Sequence, residues 1–257
     1  YVSPQVWAWR KGRVKTIAEI ADRLAVILPF EEGIYKDAGM DCEFVGHPAL
    51  EEIGDNSLAK AAFKKKLGLS PDRPLLALLP GSRSSELSRL LPVMAETVKM
   101  FRTKYPDYGF YVPVAPNVDM GKYKDIIIGL EAYGVKFGRG NSIDALAAAD
   151  LAVIASGTAA LQSAFLMTPM VVIYKLSPLT YHIVRHMVRI KYITLVNLLL
   201  DKPVVCELIQ GMASPGNVIK ELDLLITDGA RKNEMLAAFS EVRKMFEGKR
   251  PSLRVAE

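Results

Sequence analysis

Apolar and polar positions along the chain are grouped in blocks. Short, nearly uncharged runs recur: LAVILPF (24–30), CEFVG (42–46), PLLALLP (74–80), FYVPVA (110–115), VKFG (135–138), LAVIA (151–155) and MVVIYK (170–175). Runs of this length, bounded by Gly, Pro, Ser or acidic residues, predict strands buried on both faces. Amphipathic stretches lie between them and predict helices over 13–21, 31–38, 86–105, 119–132, 142–149, 178–191 and 233–247. Residues 51–72 are polar, with Lys64, Lys65 and Lys66 consecutive, and read as helix and linker. Regular alternation of this kind predicts an α/β fold, a Rossmann-like parallel sheet with helices on both faces.

One stretch invites another reading. Residues 151–174 contain no charged side chain, a run long enough to cross a bilayer. Ser156, Gly157, Thr158, Gln162, Thr168 and Pro169 interrupt it at the offsets of a strand–loop–helix–strand unit, so a buried α/β unit is expected instead.

In parallel sheets ligands bind where strands end and the next helix begins. Two such loops have phosphate-binding physics. Pro80-Gly81-Ser82-Arg83-Ser84-Ser85-Glu86 follows the 74–80 strand. Gly81 lets the backbone approach a ligand, Ser82 adds a hydroxyl, and Arg83 adds a permanent forked cation. Ser156-Gly157-Thr158-Ala159 follows the 151–155 strand and offers helix-start N–H groups without a charge. Neighbouring loops of this kind can hold one diphosphate between them. Read singly, each is an ordinary helix cap, and Glu86 an ordinary first-turn acid. Neither loop matches GxxxxGK[ST] or GxGxxG.

Composition narrows the partners. The chain has 257 residues, 33 Lys+Arg against 28 Asp+Glu, and a formal charge of +5. The excess favours anionic partners without choosing among them. No acidic residue falls between Asp150 and Asp201, a window that holds Lys175, Arg185, Arg189 and Lys191. The helix predicted over 178–191 carries Ile183, Met187 and Ile190 on an apolar strip, suited to an anionic membrane surface or equally to core or homodimer packing. Trp7 and Trp9 beside Arg10, Lys11 and Arg13 allow contact with lipid headgroups or simple packing. His182 and His186 have i, i+4 spacing, but no carboxylate accompanies them, so no metal is expected; His47, in Gly-His-Pro, faces a cleft or braces a turn. Two cysteines are too few for a disulfide scaffold, and a reduced cytoplasmic setting is the default. The chain opens on Tyr1 with no signal-peptide pattern, which reads as the end of a strand and loop with material expected upstream.

Taken in order, SPQVWAWR (3–10), ILPFEEGIY (27–35), FVGHP (44–48), LLPGSRSSEL (78–87), SGTAALQ (156–162), VNLLL (196–200) and VVCELIQ (204–210) resemble the lipid-A-disaccharide synthase family of GT-B glycosyltransferases. The resemblance spans nearly the whole chain. It implies two Rossmann-like domains with the site in the cleft between them. Residues 1–50 would close the acceptor-side domain, 51–72 link, 73–232 bind the nucleotide sugar, and 233–257 cross back as a helix. It implies an inverting transfer of diacylglucosamine from UDP-2,3-diacylglucosamine to 2,3-diacylglucosamine-1-phosphate (lipid X) at the inner membrane, without metal or cofactor. On this resemblance Gly81, Ser82, Arg83, Glu86, Ser156, Gly157 and Thr158 surround the UDP phosphates. Gln162 stands where the family motif resembles SGTATLE, with a ribose-binding Glu. Asn197 matches a motif Asn near the phosphates or donor sugar. Glu207 and Gln210 match a PELLQ-type segment expected to line the cleft, with Cys206 in place of Pro. The general base is expected upstream of this chain, so no catalytic residue is named and the chain alone is expected to turn nothing over. Rival readings are a GT-B enzyme acting on a soluble UDP-sugar, such as an N-acetylglucosaminyltransferase or epimerase, and a basic nucleic-acid-binding module. No nucleic-acid-binding motif supports the last.

Overall fold

The computed structural model describes residues 1–4, 6, 12–53, 60–187 and 191–256, without the side chains of 183–187. Trp7, Trp9, Arg10 and Lys11 lie outside the described residues. So do Arg189 and Ile190 and the side chains of Ile183, Arg185, His186 and Met187.

The predicted alternation is present. Helix α1 (Arg13–Ile20) leads to β1 (Arg23–Val26), α2 (Pro29–Lys36), β2 (Asp41–Phe44) and α3 (Pro48–Ile53). Strand β1 is shorter than predicted because Pro29 starts α2: its locked φ and missing N–H suit a helix's first turn. Next come α4 (Lys60–Lys66), β3 (Leu75–Leu79), α5 (Ser84–Lys104), β4 (Gly109–Val114), α6 (Lys124–Ala132), β5 (Val135–Arg139), α7 (Ser142–Ala148) and β6 (Leu151–Ala155). The remainder is α8 (Thr158–Phe165), β7 (Met170–Tyr174), α9 (Pro178–Met187), α10 (Leu195–Leu200), β8 (Cys206–Ile209), α11 (Pro215–Thr227), α12 (Gly229–Met245) and α13 (Pro251–Ala256). The helix expected over 119–132 divides: a 3-10 turn at Met120–Tyr123, capped by Asp119, precedes α6.

Strands β1 and β2 form a small parallel pair, and the other six form one parallel sheet in the order β5-β4-β3-β6-β7-β8. This is the doubly wound arrangement, and its switch point falls between β3 and β6. These two strands pair from Leu76↔Leu151 to Leu79↔Ile154. From β3 the chain turns outward to β4, and from β6 it turns the opposite way to β7. Strands β3, β4 and β6 are buried at every position. The charge-free 151–174 stretch is therefore β6, α8 and β7, and among the described residues no helix is long and apolar enough to cross a membrane.

At the far end of the sheet from the loops after β3 and β6, Asp150 ties three elements together. Its carboxylate accepts from the Leu75 N–H at 2.8 Å, Lys60 Nζ at 2.6 Å and Lys64 Nζ at 3.1 Å. Lys64 is only 2% exposed, an unusual burial for an ammonium, and Asp150 compensates it. Burial opposes the Asp150 charge, but the bonds from Lys60, Leu75 and Lys64 outweigh it and hold the carboxyl below its ordinary value.

The small strand pair is fastened to the large sheet through the C-terminal segment. Phe246 is fully buried and stacks edge-on against Phe44, His47 and Phe165. Lys249 Nζ donates to the Phe44 carbonyl at 3.2 Å, Ser252 Oγ to Glu51 Oε1 at 2.9 Å, and Arg254 pairs with Glu43 at 3.1 Å. Gly46 has φ 104°, and a Cβ there would come within 2.5 Å of Lys249 Cβ, so this close approach needs glycine. His47 is buried beneath, and its Nδ1 accepts from the Ala49 N–H at 3.1 Å. It braces the turn into α3. Burial pushes its pKa down from 6.5 to about 4.

Two predictions follow from these contacts. Asp150→Ala leaves Lys64 buried without a counter-charge and is expected to cost about 3–5 kcal/mol in urea unfolding, as when one partner of a buried pair is removed. Because His47 folds in its neutral form, the unfolded chain binds more protons between pH 6.5 and about 4. Stability should therefore fall as pH drops through that window. His47→Asn, which has no proton to gain, should flatten the decline in melting temperature there.

Candidate nucleotide-sugar site

Strand β3 ends at Leu79 and β6 at Ala155, side by side at the switch point. Their following loops open onto a common cavity of about 350 Å³. Gly81, Ser82, Arg83 and Glu86 line one side, and Ser156, Gly157 and Thr158 another. Seven of the eleven candidate residues thus share one concavity. Its third wall is formed by Pro113–Pro116 at the end of β4, with Gly140 and Ser142 at the start of α7. That wall has a local cause. Pairing of β4 with β3 ends at Ala77↔Tyr111, two residues before Pro113, whose nitrogen has no hydrogen to donate.

Side chains tie the loops together. Asn117 Nδ2 donates to the Ser82 carbonyl at 3.3 Å, and the Tyr123 hydroxyl to the Ser84 carbonyl at 3.0 Å. Arg139 Nη1 donates to the Pro116 carbonyl at 3.2 Å. Gly140 and Asn141 both adopt left-handed φ (66° and 58°), a turn that Gly and Asn tolerate best.

The donors differ between the two loops. No side chain caps α8, whose N-cap is Gly157, and Gly157, Thr158 and Ala159 at its start line the cavity. The Ser156 hydroxyl donates to the Ile193 carbonyl at 3.1 Å, which commits its proton. Arg83 has a side chain 79% exposed and pairs through Nη1 with Glu86 at 3.1 Å. Tyr174, at the end of β7, feels both: burial raises its pKa, the Glu86 charge adds to the rise, and Arg83 opposes it.

The remaining four candidates lie outside the cavity lining, with polar groups engaged in the fold. Gln162 is buried on α8 and donates to Glu52 Oε2 at 2.9 Å. Asn197 is buried, donates to the Val205 carbonyl and accepts from the Val205 N–H, both at 2.8 Å. The Glu207 carboxylate accepts from the Ile193 N–H, the Thr194 N–H and hydroxyl, and Asn197 Nδ2. Gln210, at φ 52°, accepts from the Leu176 N–H and donates to its carbonyl. Glu207 and Asn197 thereby hold the 193–194 segment, whose Ile193 carbonyl receives the Ser156 hydroxyl. Their link to the cavity is through that segment.

Asn117, Tyr174 and the wall around Ser142 were missed in the sequence. The Gly140-Asn141 turn after the VKFG strand was the available signal. Among the described residues no group of three His, Cys, Asp or Glu is placed to hold a metal ion. Cys42 and Cys206 are free, and burial pushes their thiols up to about 11 and about 12, leaving little thiolate at neutral pH.

Comparison with known proteins agrees with this architecture. The family model for lipid-A-disaccharide synthetase matches residues 1–253. The chain is 41% identical over 257 residues to a lipid-A-disaccharide synthase of Anaeromyxobacter dehalogenans (strain 2CP-1 / ATCC BAA-258), covering all of this chain and 67% of that one. It is 44% identical over 243 residues to the synthase of Syntrophus aciditrophicus (strain SB), covering 95% and 63%. The chain thus spans about two thirds of the length of these relatives. Among solved structures, the S. aureus MnaA–UDP co-structure superposes with a TM-score of 0.63 at 13% identity, covering 93% of this chain and 59% of that one. A glycosyltransferase from Rickettsia africae ESF-5 superposes at 0.53 and 10% identity, covering 96% and 64%. At such identities these structures speak for the fold alone.

A parallel doubly wound sheet with an open crevice at its switch point, in a chain with these relatives, defines a GT-B glycosyltransferase. Within that class the chain belongs to the lipid-A-disaccharide synthetase family, whose members are hexosyltransferases of lipid A biosynthesis.

The Asn197 network generates a stability prediction. Asn197→Ala orphans the buried N–H and carbonyl of Val205, and is expected to cost about 2–4 kcal/mol in thermal or urea unfolding.

Proposed function

We propose that this chain carries the nucleotide-binding half of an inverting lipid-A-disaccharide synthase. The donor is UDP-2,3-diacylglucosamine, the acceptor is lipid X, and the products are UDP and the β-1,6-linked disaccharide 1-phosphate. The observation that carries the reading is the convergence of the Gly81–Arg83 and Ser156–Thr158 loops on one cavity at the switch point. In an inverting transfer the acceptor hydroxyl attacks the anomeric carbon in line with the departing UDP, and negative charge builds on the β-phosphate. Donors fixed beforehand around that phosphate lower the barrier. Arg83 supplies an exposed guanidinium, Gly81 and Ser82 supply close backbone approach, and the start of α8, which no side chain caps, supplies N–H groups and the positive end of its dipole.

The domain reading follows. Residues 73–232 make the donor-side domain, and residues 1–50 with the C-terminal segment belong to the acceptor side. Gln162, Asn197, Glu207 and Gln210 act at one remove, by fixing α8 and the segments beside Ser156. The acid-free window from Asp150 to Asp201, with Lys175, Arg185, Arg189 and Lys191, suits a peripheral position on an anionic inner-membrane surface. A soluble UDP-sugar as donor is disfavoured by the lipid-A-disaccharide synthases among the relatives.

The deciding experiment is Arg83→Ala in the full-length enzyme, with UDP affinity and turnover both measured. A loss of at least about tenfold in each is expected, which corresponds to about 1.4 kcal/mol. Smaller losses in both remove Arg83 from the phosphate.

A further inference from the structure

The donor set of the Gly81–Arg83 loop already holds an anion. Glu86 Oε2 accepts from the Ser82 N–H at 3.1 Å and the Arg83 N–H at 3.4 Å, while Oε1 pairs with Arg83 Nη1 at 3.1 Å. Glu86 thereby closes the capping box of α5, and the same two backbone N–H groups and guanidinium form a donor set from which a phosphate can accept. The Glu86 side chain is 18% exposed and that of Arg83 is 79% exposed, so the carboxylate is tucked against the loop with the guanidinium outermost. Gly81, at φ 101°, leaves the space the carboxylate fills: a Cβ there would collide with Glu86 Oε2. The α8 side of the same cavity has no such internal acid.

Resting on the reading of this cavity as a diphosphate site, we propose that Glu86 is its resident anion, competing with the diphosphate for the N–H groups of Ser82 and Arg83 and so setting the affinity for UDP. Each N–H donates one good hydrogen bond, and two anions in one nest repel. A phosphate that takes the Ser82 and Arg83 N–H groups therefore requires the carboxylate to rotate out, and its return helps to expel UDP. Arg83 is passed from the internal acid to the ligand rather than drawn from water, which keeps its charge near the cavity between turnovers.

The test compares this chain with its Glu86→Gln variant, which keeps side-chain shape and removes the charge. Both are titrated with UDP, inorganic pyrophosphate and uridine, using calorimetry or amide resonances. Glu86→Gln is expected to bind UDP and pyrophosphate about tenfold tighter, a gain of about 1.4 kcal/mol, with uridine unchanged. Equal or weaker pyrophosphate binding by the variant overturns the proposal, and so does an equal gain for uridine, which would indicate a general rearrangement. If neither protein binds UDP, the reading of the cavity fails first and the proposal with it. A second measurement needs no variant. The Glu86 carboxyl carbon resonance of the unaltered chain should move when UDP saturates it; no movement overturns the proposal even if Glu86→Gln fails to fold.

Discussion

The structure depends on one constraint: two neighbouring parallel strands whose chains depart in opposite directions. Strands β3 and β6 pair over four residues, and no crossover helix then covers the gap between their ends. The gap is a property of the winding, so it requires no special residues to exist. It needs only loops that do not fill it. Gly81 and Gly157 keep those loops thin, and Pro113 ends the adjoining β3–β4 ladder early enough to widen the opening.

Around that opening the protein places polar side chains in two kinds of work. Arg83 is largely exposed and paired with Glu86. Asn117, Tyr123, Arg139, Asn197, Glu207 and Gln210 are instead committed to backbone groups of the surrounding loops. These bonds join side chains to main chain, and those of Asn117, Tyr123, Arg139 and Gln210 reach backbone more than twenty residues away. Rigid walls of this type keep donors in place before a ligand arrives, which is the condition for useful electrostatic stabilisation.

Much of this was legible in the sequence, for physical reasons that differ from element to element. Strands β3, β6 and β7 are buried on both faces, so LLALL, LAVIA and MVVIY stand out as short charge-free runs, and the polar, Gly and Pro positions from Ser156 to Pro169 separate the last two. Strand β1 was overrun because the apolar pattern continues through Leu28 and Phe30 into α2, and only Pro29 marks the change. Helix α11 went unread although Ser214 caps it, Pro215 starts it, and Val218, Leu222 and Leu225 repeat at helical spacing. Strand β8 lies at the sheet's edge and is only partly buried, so CELI carries no clear period. The two donor loops were visible because each joins a buried strand to a helix through glycine. The wall from Pro113 to Pro116 was not, since an uncharged loop carries no chemistry until the fold brings it beside one that does. The surroundings of Gln162, Asn197, Glu207 and Gln210 were likewise out of reach, because a motif names a residue without naming its partner.

The attachment of the C-terminal segment has a consequence for how the chain reaches this state. Lys249 holds the carbonyl of Phe44, Ser252 holds Glu51 and Arg254 holds Glu43, pairs separated by roughly two hundred positions. Contacts of such long range form late, because the intervening loop must close before they return any energy. Strands β1 and β2 therefore wait for Phe246, which stacks on Phe44, to complete their packing. The C-terminal segment thus acts as a clasp on β2 and α3, and ending the chain at Gly248 would undo all three ties at once.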